Sequence, residues 1–227
     1  MEITQNIKKG LTLLVALLTA FSAAADYFWA VNADGVPIYY CTSSTEQLTV
    51  LGVQEEYSGN VNIPAFVVYN GNEYSVTSIG ANAFCDRSGL TSVTIPESVT
   101  EIGYDAFSYC SGLTSVSIGE GVNYIGSWAF RGCSGLTSIT IPENVTEIEE
   151  GAFSDCKSLI MVNDNAINCT TKAESEYDTY YPPFSGCYNL TTLNIGENVQ
   201  TIPAYAFSYC GLTSVTIPAG VTSIGSG

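Results

Sequence analysis

A β-rich solenoid is the fold class this sequence predicts, and three observations predict it. An Ala-Phe pair recurs with Phe at 84, 107, 130, 153 and 207, and Pro183-Phe184 stands in for it once. The spacing is 23 residues except for a single step of 31 from Phe153 to Phe184. Around each Phe the same apolar positions return. Self-similarity at a period of 20 to 50 residues marks units that cannot bury their own apolar faces and do so by stacking.

Each unit opens on Leu-x-x-Val-x-Ile, as in Leu113, Val116 and Ile118 or Leu136, Ile139 and Ile141. Its alternation and β-branched content predict one short parallel strand per turn. Pro96, Pro142 and Pro218 follow and end that strand, because proline cannot donate to a ladder. Val-x-x-Ile, as in Val122 and Ile125, predicts a second short extended run on the opposite wall. Gly103, Gly126 and Gly225 then open a turn into a brief helical or 3₁₀ stretch carrying Ala-Phe. Six inward positions per 23 residues match the economy of a leucine-rich repeat superhelix. Phe84, Phe107, Phe130, Phe153, Phe184 and Phe207 read as a structural ladder through the core.

Cys110, Cys133, Cys156, Cys187 and Cys210 each follow the repeat Phe by three residues and form a second ladder. Eight cysteines in an exported chain would suggest disulfides. At a core position on a short turn, however, Cys behaves as a small buried hydrophobe. Reduced, inert thiols are the expectation for the ladder, while Cys41, Cys85 and Cys169 fall outside it.

The pattern Leu-Thr-Ser-Val-Thr-Ile-Pro, Val-Thr-Glu-Ile-Gly, Ala-Phe, Cys-Ser-Gly-Leu resembles the BspA-like, or Treponema-type, leucine-rich repeat of bacterial surface proteins, over roughly residues 60 to 227. The resemblance implies adhesion: relatives are cell-surface or secreted proteins that bind host matrix proteins and other bacteria. It implies no catalytic residues.

Residues 1–25 carry Lys8 and Lys9, an apolar run from Leu11 to Phe21 and then Ala23-Ala24-Ala25, the order of a secretory signal peptide. A secreted or cell-surface chain with no membrane insertion after cleavage is expected. Residues 26–59 do not match the repeat. Phe28 to Val31 and Val36 to Tyr40 flank Asn32-Ala33-Asp34-Gly35, a hairpin signal. This segment is expected to be a β cap over the first repeat, with the repeats filling 60–227. The last copy stops at Gly227 before any Ala-Phe, which reads as an incomplete repeat and suggests a fragment.

The chain has 6 basic and 22 acidic side chains and a net charge of −16. That balance argues against nucleic acid and anionic lipid as partners. Glu97, Glu101, Glu120, Glu143, Glu147, Glu149 and Glu150 read as a solvated acidic face. Glu149 and Glu150 as a hydrolytic carboxylate pair are disfavoured, since the acid role needs a desolvated cleft. Histidine is absent, which removes the commonest general base and zinc ligand. Cys-x-x-Cys, Gly-x-Ser-x-Gly, phosphate-loop and calcium-loop patterns are absent too. No enzyme activity and no cofactor are expected.

Two surfaces remain for a protein or glycan partner. One is the outward side of the first strand row: Ser92 and Thr94, Ser115 and Ser117, Ser138 and Thr140, continuing through Met161/Asn163, Thr192/Asn194 and Ser214/Thr216. The other is the insertion at 163–183, where Tyr177, Tyr180 and Tyr181 are the only clustered candidates for exposed aromatics outside the caps. Insertions in solenoids map to loops on one face, often the binding face. A structural spacer is the remaining alternative.

Overall fold

The computed structural model describes residues 16–17, 25–42, 47–54, 57–171 and 181–226. Most of the expected signal peptide, and Tyr177 and Tyr180 in the insertion, lie outside the described residues. The architecture is a stack of parallel turns entered through an antiparallel meander. Tyr27–Val31, Pro37–Thr42 and Gln47–Val53 pair in that order. Ala16–Leu17 runs antiparallel beside the first of them. The hairpin turn is held by Asn32, whose Oδ1 accepts from the amides of Asp34 and Val36 at 3.0 and 2.8 Å. Such local side-chain bonding is why Asn favours turns.

Gln47–Val53 then runs parallel to Asn72–Ile79, which carries the antiparallel strand Phe66–Tyr69 on its other flank. From Asn72–Ile79 a parallel ladder of two-residue strands continues through Glu101–Ile102, Tyr124–Ile125, Glu147–Ile148 and Thr170–Thr171. This is the second, Val-x-x-Ile row. The first row forms two three-stranded sheets. One joins Gly59–Asn62, Leu90–Thr94 and Ser115–Ser117; the other joins Ser138–Ile141, Met161–Asp164 and Thr192–Ile195. Register keeps repeat positions opposite one another: Ser92 faces Ser115, and Ser138 faces Met161 and then Thr192. The expected strand at Ser214 to Thr216 is not formed, and Val215 and Ile217 are exposed.

The Phe column is continuous. Successive ring centroids from Phe84 to Phe207 are 4.8, 5.1, 5.2, 5.0 and 5.2 Å apart. The longer step from Phe153 to Phe184 leaves no gap in the column, the two rings being 5.0 Å apart like their neighbours. All but Phe207, which is half-buried, lie fully inside.

The helical or 3₁₀ stretch expected around Ala-Phe is corrected by the structure: the described residues contain no helix, and these segments are successive tight turns. Backbone bonding gives the reason. Alternate amides close local turns, as in Ala83 to Gly80 and Cys85 to Asn82, while those between them donate sideways to the following repeat. Phe84, Phe107 and Phe130 donate to Ala106, Ala129 and Ala152, each at 2.7 Å. An amide committed to the next turn of the solenoid cannot also continue a helix. The geometry is met by left-handed backbone two residues before and after each Phe, except before Phe184 where Pro182 stands, and includes φ of 59° at Trp128 and 58° at Tyr109. Bulky residues rarely adopt that conformation.

Candidate functional site

The Ala-Phe turns form one long face of the solenoid, and its outward side chains follow from the left-handed positions. The residue two before Phe is Asn82, Asp105, Trp128, Gly151, Pro182 and Tyr205 in successive turns; the residue two after is Asp86, Tyr109, Gly132, Asp155, Gly186 and Tyr209. Backbone bonds between turns keep these in rows, so a large ring in one turn overlies its counterpart in the next. Where a ring must lie down, the counterpart is glycine. A Cβ on Gly151 would stand 2.3 Å from the Trp128 ring, and one on Gly132 would stand 2.7 Å from the Tyr109 ring.

Arg131 draws these rings into one cluster. Its guanidinium carbon lies 4.7 Å from the Trp128 ring centre and 5.4 Å from that of Tyr109, within cation–π range. Tyr181 meets Trp128 edge-on at 5.1 Å. Tyr104, Tyr109 and Tyr181 are exposed around this centre, Tyr205 is exposed further along the solenoid, and Tyr188 and Tyr209 project furthest, at 73% and 74% exposure. A hydrogen bond to Asp105 raises the Tyr104 phenol above its usual range. Beside Tyr109 a hollow of 380 Å³ is lined by Ser111, Gly132, Ser134, Asp155 and Lys157 as well.

This face corrects the expectation that Tyr177, Tyr180 and Tyr181 are the only clustered exposed aromatics. Tyr181 belongs to a larger set built from ordinary repeat turns. The readable signal is an aromatic residue followed 23 positions later by glycine, as in Tyr109 with Gly132 and Trp128 with Gly151. Of the described cations of residues 26–227, Arg131 and Lys157 stand on this face, while Arg87 is half-buried at the rung position that Cys110 fills one turn on.

The strand row holds the other candidates. Thr94, Ser115, Ser117, Ser138 and Thr140 are exposed and Ser92 is half-buried. Further along, Asn163 Nδ2 donates to Thr140 Oγ1 at 3.1 Å and Asn194 Nδ2 to Asn163 Oδ1 at 2.8 Å. The row therefore spends part of its hydrogen-bonding capacity on itself, and no aromatic ring or guanidinium projects from it.

The thiol ladder carries a polar role in addition to packing. The sulfurs of Cys110, Cys133, Cys156 and Cys187 donate to the carbonyls of Phe84, Phe107, Phe130 and Phe153 at 2.9, 3.1, 3.2 and 3.1 Å. Each thus bonds the carbonyl of the preceding Phe rung. All eight cysteines are free thiols. Burial pushes Cys110 up to about 12 and Cys133 well above its usual range; a hydrogen bond with Cys187, then burial, does the same for Cys156. Cys210, at the last rung, is half-buried and bonds the Phe207 carbonyl.

Two of the described acids are buried, one of them against expectation. Glu149, read as part of a solvated face, is 7% exposed. It occupies the place of Gly103 and Gly126, and Ser127 Oγ donates to its carboxylate at 3.4 Å. Asp164 stands opposite Ile141 and Ile195 in the strand register and is buried. Desolvation raises it to about 6, opposed by a hydrogen bond from the Ala166 amide. Neither acid belongs to a metal-binding cluster: among the described residues no group of three or more His, Cys, Asp or Glu is placed to hold an ion.

The chain matches the family model described as the BspA type leucine rich repeat region, in 6 copies, over residues 72–171 and 161–227. No curated protein matches it. Among solved structures it is similar to a leucine rich cell surface protein from Faecalibacterium prausnitzii, with 34% identity and a TM-score of 0.63. That alignment covers 83% of this chain and 48% of the relative, so the chain spans about half of that protein's length. A leucine rich repeat protein of T. pallidum shares the fold at a TM-score of 0.58 and 22% identity, over 81% of this chain and 76% of the other. Leucine-rich repeats of this kind are, in general, protein-interaction modules. With its family model spanning most of the sequence and its repeat rungs stacked in one register, the chain belongs to the BspA-type leucine-rich repeat family.

Proposed function

We propose that this protein is a non-enzymatic adhesive module, secreted or held at the cell surface, that binds protein partners on host matrix or neighbouring cells. The observation that carries the reading is the aromatic and cationic turn face. Tyr, Trp and Arg are the side chains that most often dominate binding energy at interfaces, and here they cluster around Arg131 on an otherwise acidic molecule. The repeat architecture supports it further, because a solenoid extends such a face by repetition without altering its core. Residues 1–25 serve as the export signal in this reading, and residues 26–59 cap the first repeat. The family resemblance to surface proteins favours display outside the cell.

The test is direct binding of the chain to immobilised fibronectin and fibrinogen and to intact epithelial and bacterial cells. Saturable binding to at least one of these, weakened by salt, is the expected result. Binding no better than an unrelated acidic protein to every surface would replace adhesion with a spacer role.

A further inference from the structure

We propose that the hollow beside Tyr109 is a subsite for a neutral pyranose sugar. The proposal rests on the adhesive reading and names the ligand class one part of that face takes.

The hollow is a product of repeat register. Tyr109, Gly132 and Asp155 are the same repeat position in three successive turns, and Ser111, Ser134 and Lys157 are the position two residues on. With turns spaced about 5 Å apart, Tyr109 and Asp155 stand about 10 Å from each other across the glycine. Tyr109 rests the edge of its ring on Gly132, which contributes no side chain of its own. The hollow is open to solvent, and its 380 Å³ lies within the volume range of small-ligand clefts.

The lining supplies three things at once. The part of the Tyr109 ring left exposed beyond its contacts with Gly132 and Arg131 offers apolar surface to the C–H face of a sugar ring. The Ser111 and Ser134 hydroxyls both donate and accept, Asp155 accepts twice, and Lys157 donates. Other ligand classes fit poorly. An anion meets Asp155 inside the hollow and a net charge of −16 outside it. A cation meets Lys157 and the neighbouring Arg131. An apolar side chain finds one aromatic wall and desolvates hydroxyls, a carboxylate and an ammonium without pairing them. A neutral ring bearing several hydroxyls pairs with every group present.

The test is titration of the full chain with methyl glycosides of glucose, galactose, mannose and N-acetylglucosamine, followed by saturation-transfer NMR and calorimetry. Saturable binding of at least one is expected, with saturation reaching the Tyr109 ring. Tyr109→Asn should abolish it, and Asp155→Asn and Lys157→Gln should each weaken it about tenfold or more, with unchanged melting curves. Asparagine is chosen at 109 and 155 because φ is 58° and 57° there, a conformation Asn tolerates. If Tyr109→Asn fails to fold, the exposed Lys157→Gln change decides by itself. No binding of any neutral glycoside, or binding that survives Lys157→Gln undiminished, would overturn the subsite. Cell or matrix-protein binding that no free sugar inhibits would also overturn it while leaving the adhesive reading intact. Sugar binding lost in the variants, without any cell or protein binding, would support the subsite and sink the broader adhesion.

Discussion

Asp164 shows most plainly how one side chain bends the rules of this repeat. Its counterparts across the strand ladder are Ile141 and Ile195, so a carboxylate fills an apolar rung at the start of the insertion. Burial raises its pKa from an ordinary 3.8 to about 6. The fold therefore prefers the protonated acid, and the associated stability is complete below about pH 4 and lost as pH rises through about 6. A shift of about two units corresponds to roughly 3 kcal/mol. Asp164→Asn should be more stable than the parent chain at pH 7 and no more stable at pH 4, as read by urea melts at both pH values. Equal differences at the two pH values would show that the carboxylate is solvated. The substitution was visible in the aligned repeats, but its burial depended on the strand register holding up to the insertion. Glu149 was less legible. It occupies a glycine position, and only the neighbouring turn reveals that its side chain is enclosed beside Ser127.

At the scale of elements, the rows of Leu, Val, Ile, Phe and Cys were legible because burial at a fixed period writes itself into composition. The turn that carries Phe was not. Its residues read as a short helix, whereas their amides alternate between local turns and the next repeat, a competition that no single copy displays. The same gap hid the aromatic face: Tyr109 and Trp128 are unremarkable within their own repeats and acquire meaning only through Gly132 and Gly151 one turn on. Gly151→Ala should therefore dislodge Trp128 as well as strain a backbone at φ 61°. A loss of about 1 to 3 kcal/mol is expected, with a change in tryptophan emission that an Ala substitution at exposed Glu143 does not produce. An unchanged emission spectrum would mean that the ring does not rest on the glycine.

For the whole molecule, stability is a sum over neighbours along one axis. Phe130→Ala removes a ring stacked at 5.1 and 5.2 Å on its two sides and should cost about 3 to 5 kcal/mol. Phe207→Ala should cost less, since that ring is half-buried at its own turn. Denaturant melts giving equal, small losses at both positions would contradict a continuous stacked core. The same axial logic divides function from fold. The inward rungs are held nearly invariant within the chain, while the outward turn positions vary from Asp to Gly to Tyr to Trp, and this freedom lets one face acquire recognition chemistry. The most direct measurement is side-by-side binding, to a matrix protein or cell surface that the parent chain recognises, of two triple variants with matched melting curves. One replaces Tyr181, Tyr188 and Tyr209 on the turn face with Asn; the other replaces Ser115, Ser138 and Thr140 on the strand face with Gln. The turn-face variant should lose at least about tenfold in affinity, about 1.4 kcal/mol, while the strand-face variant binds as the parent does. Loss confined to the strand-face variant would contradict the assignment and move the binding surface to the other side of the solenoid.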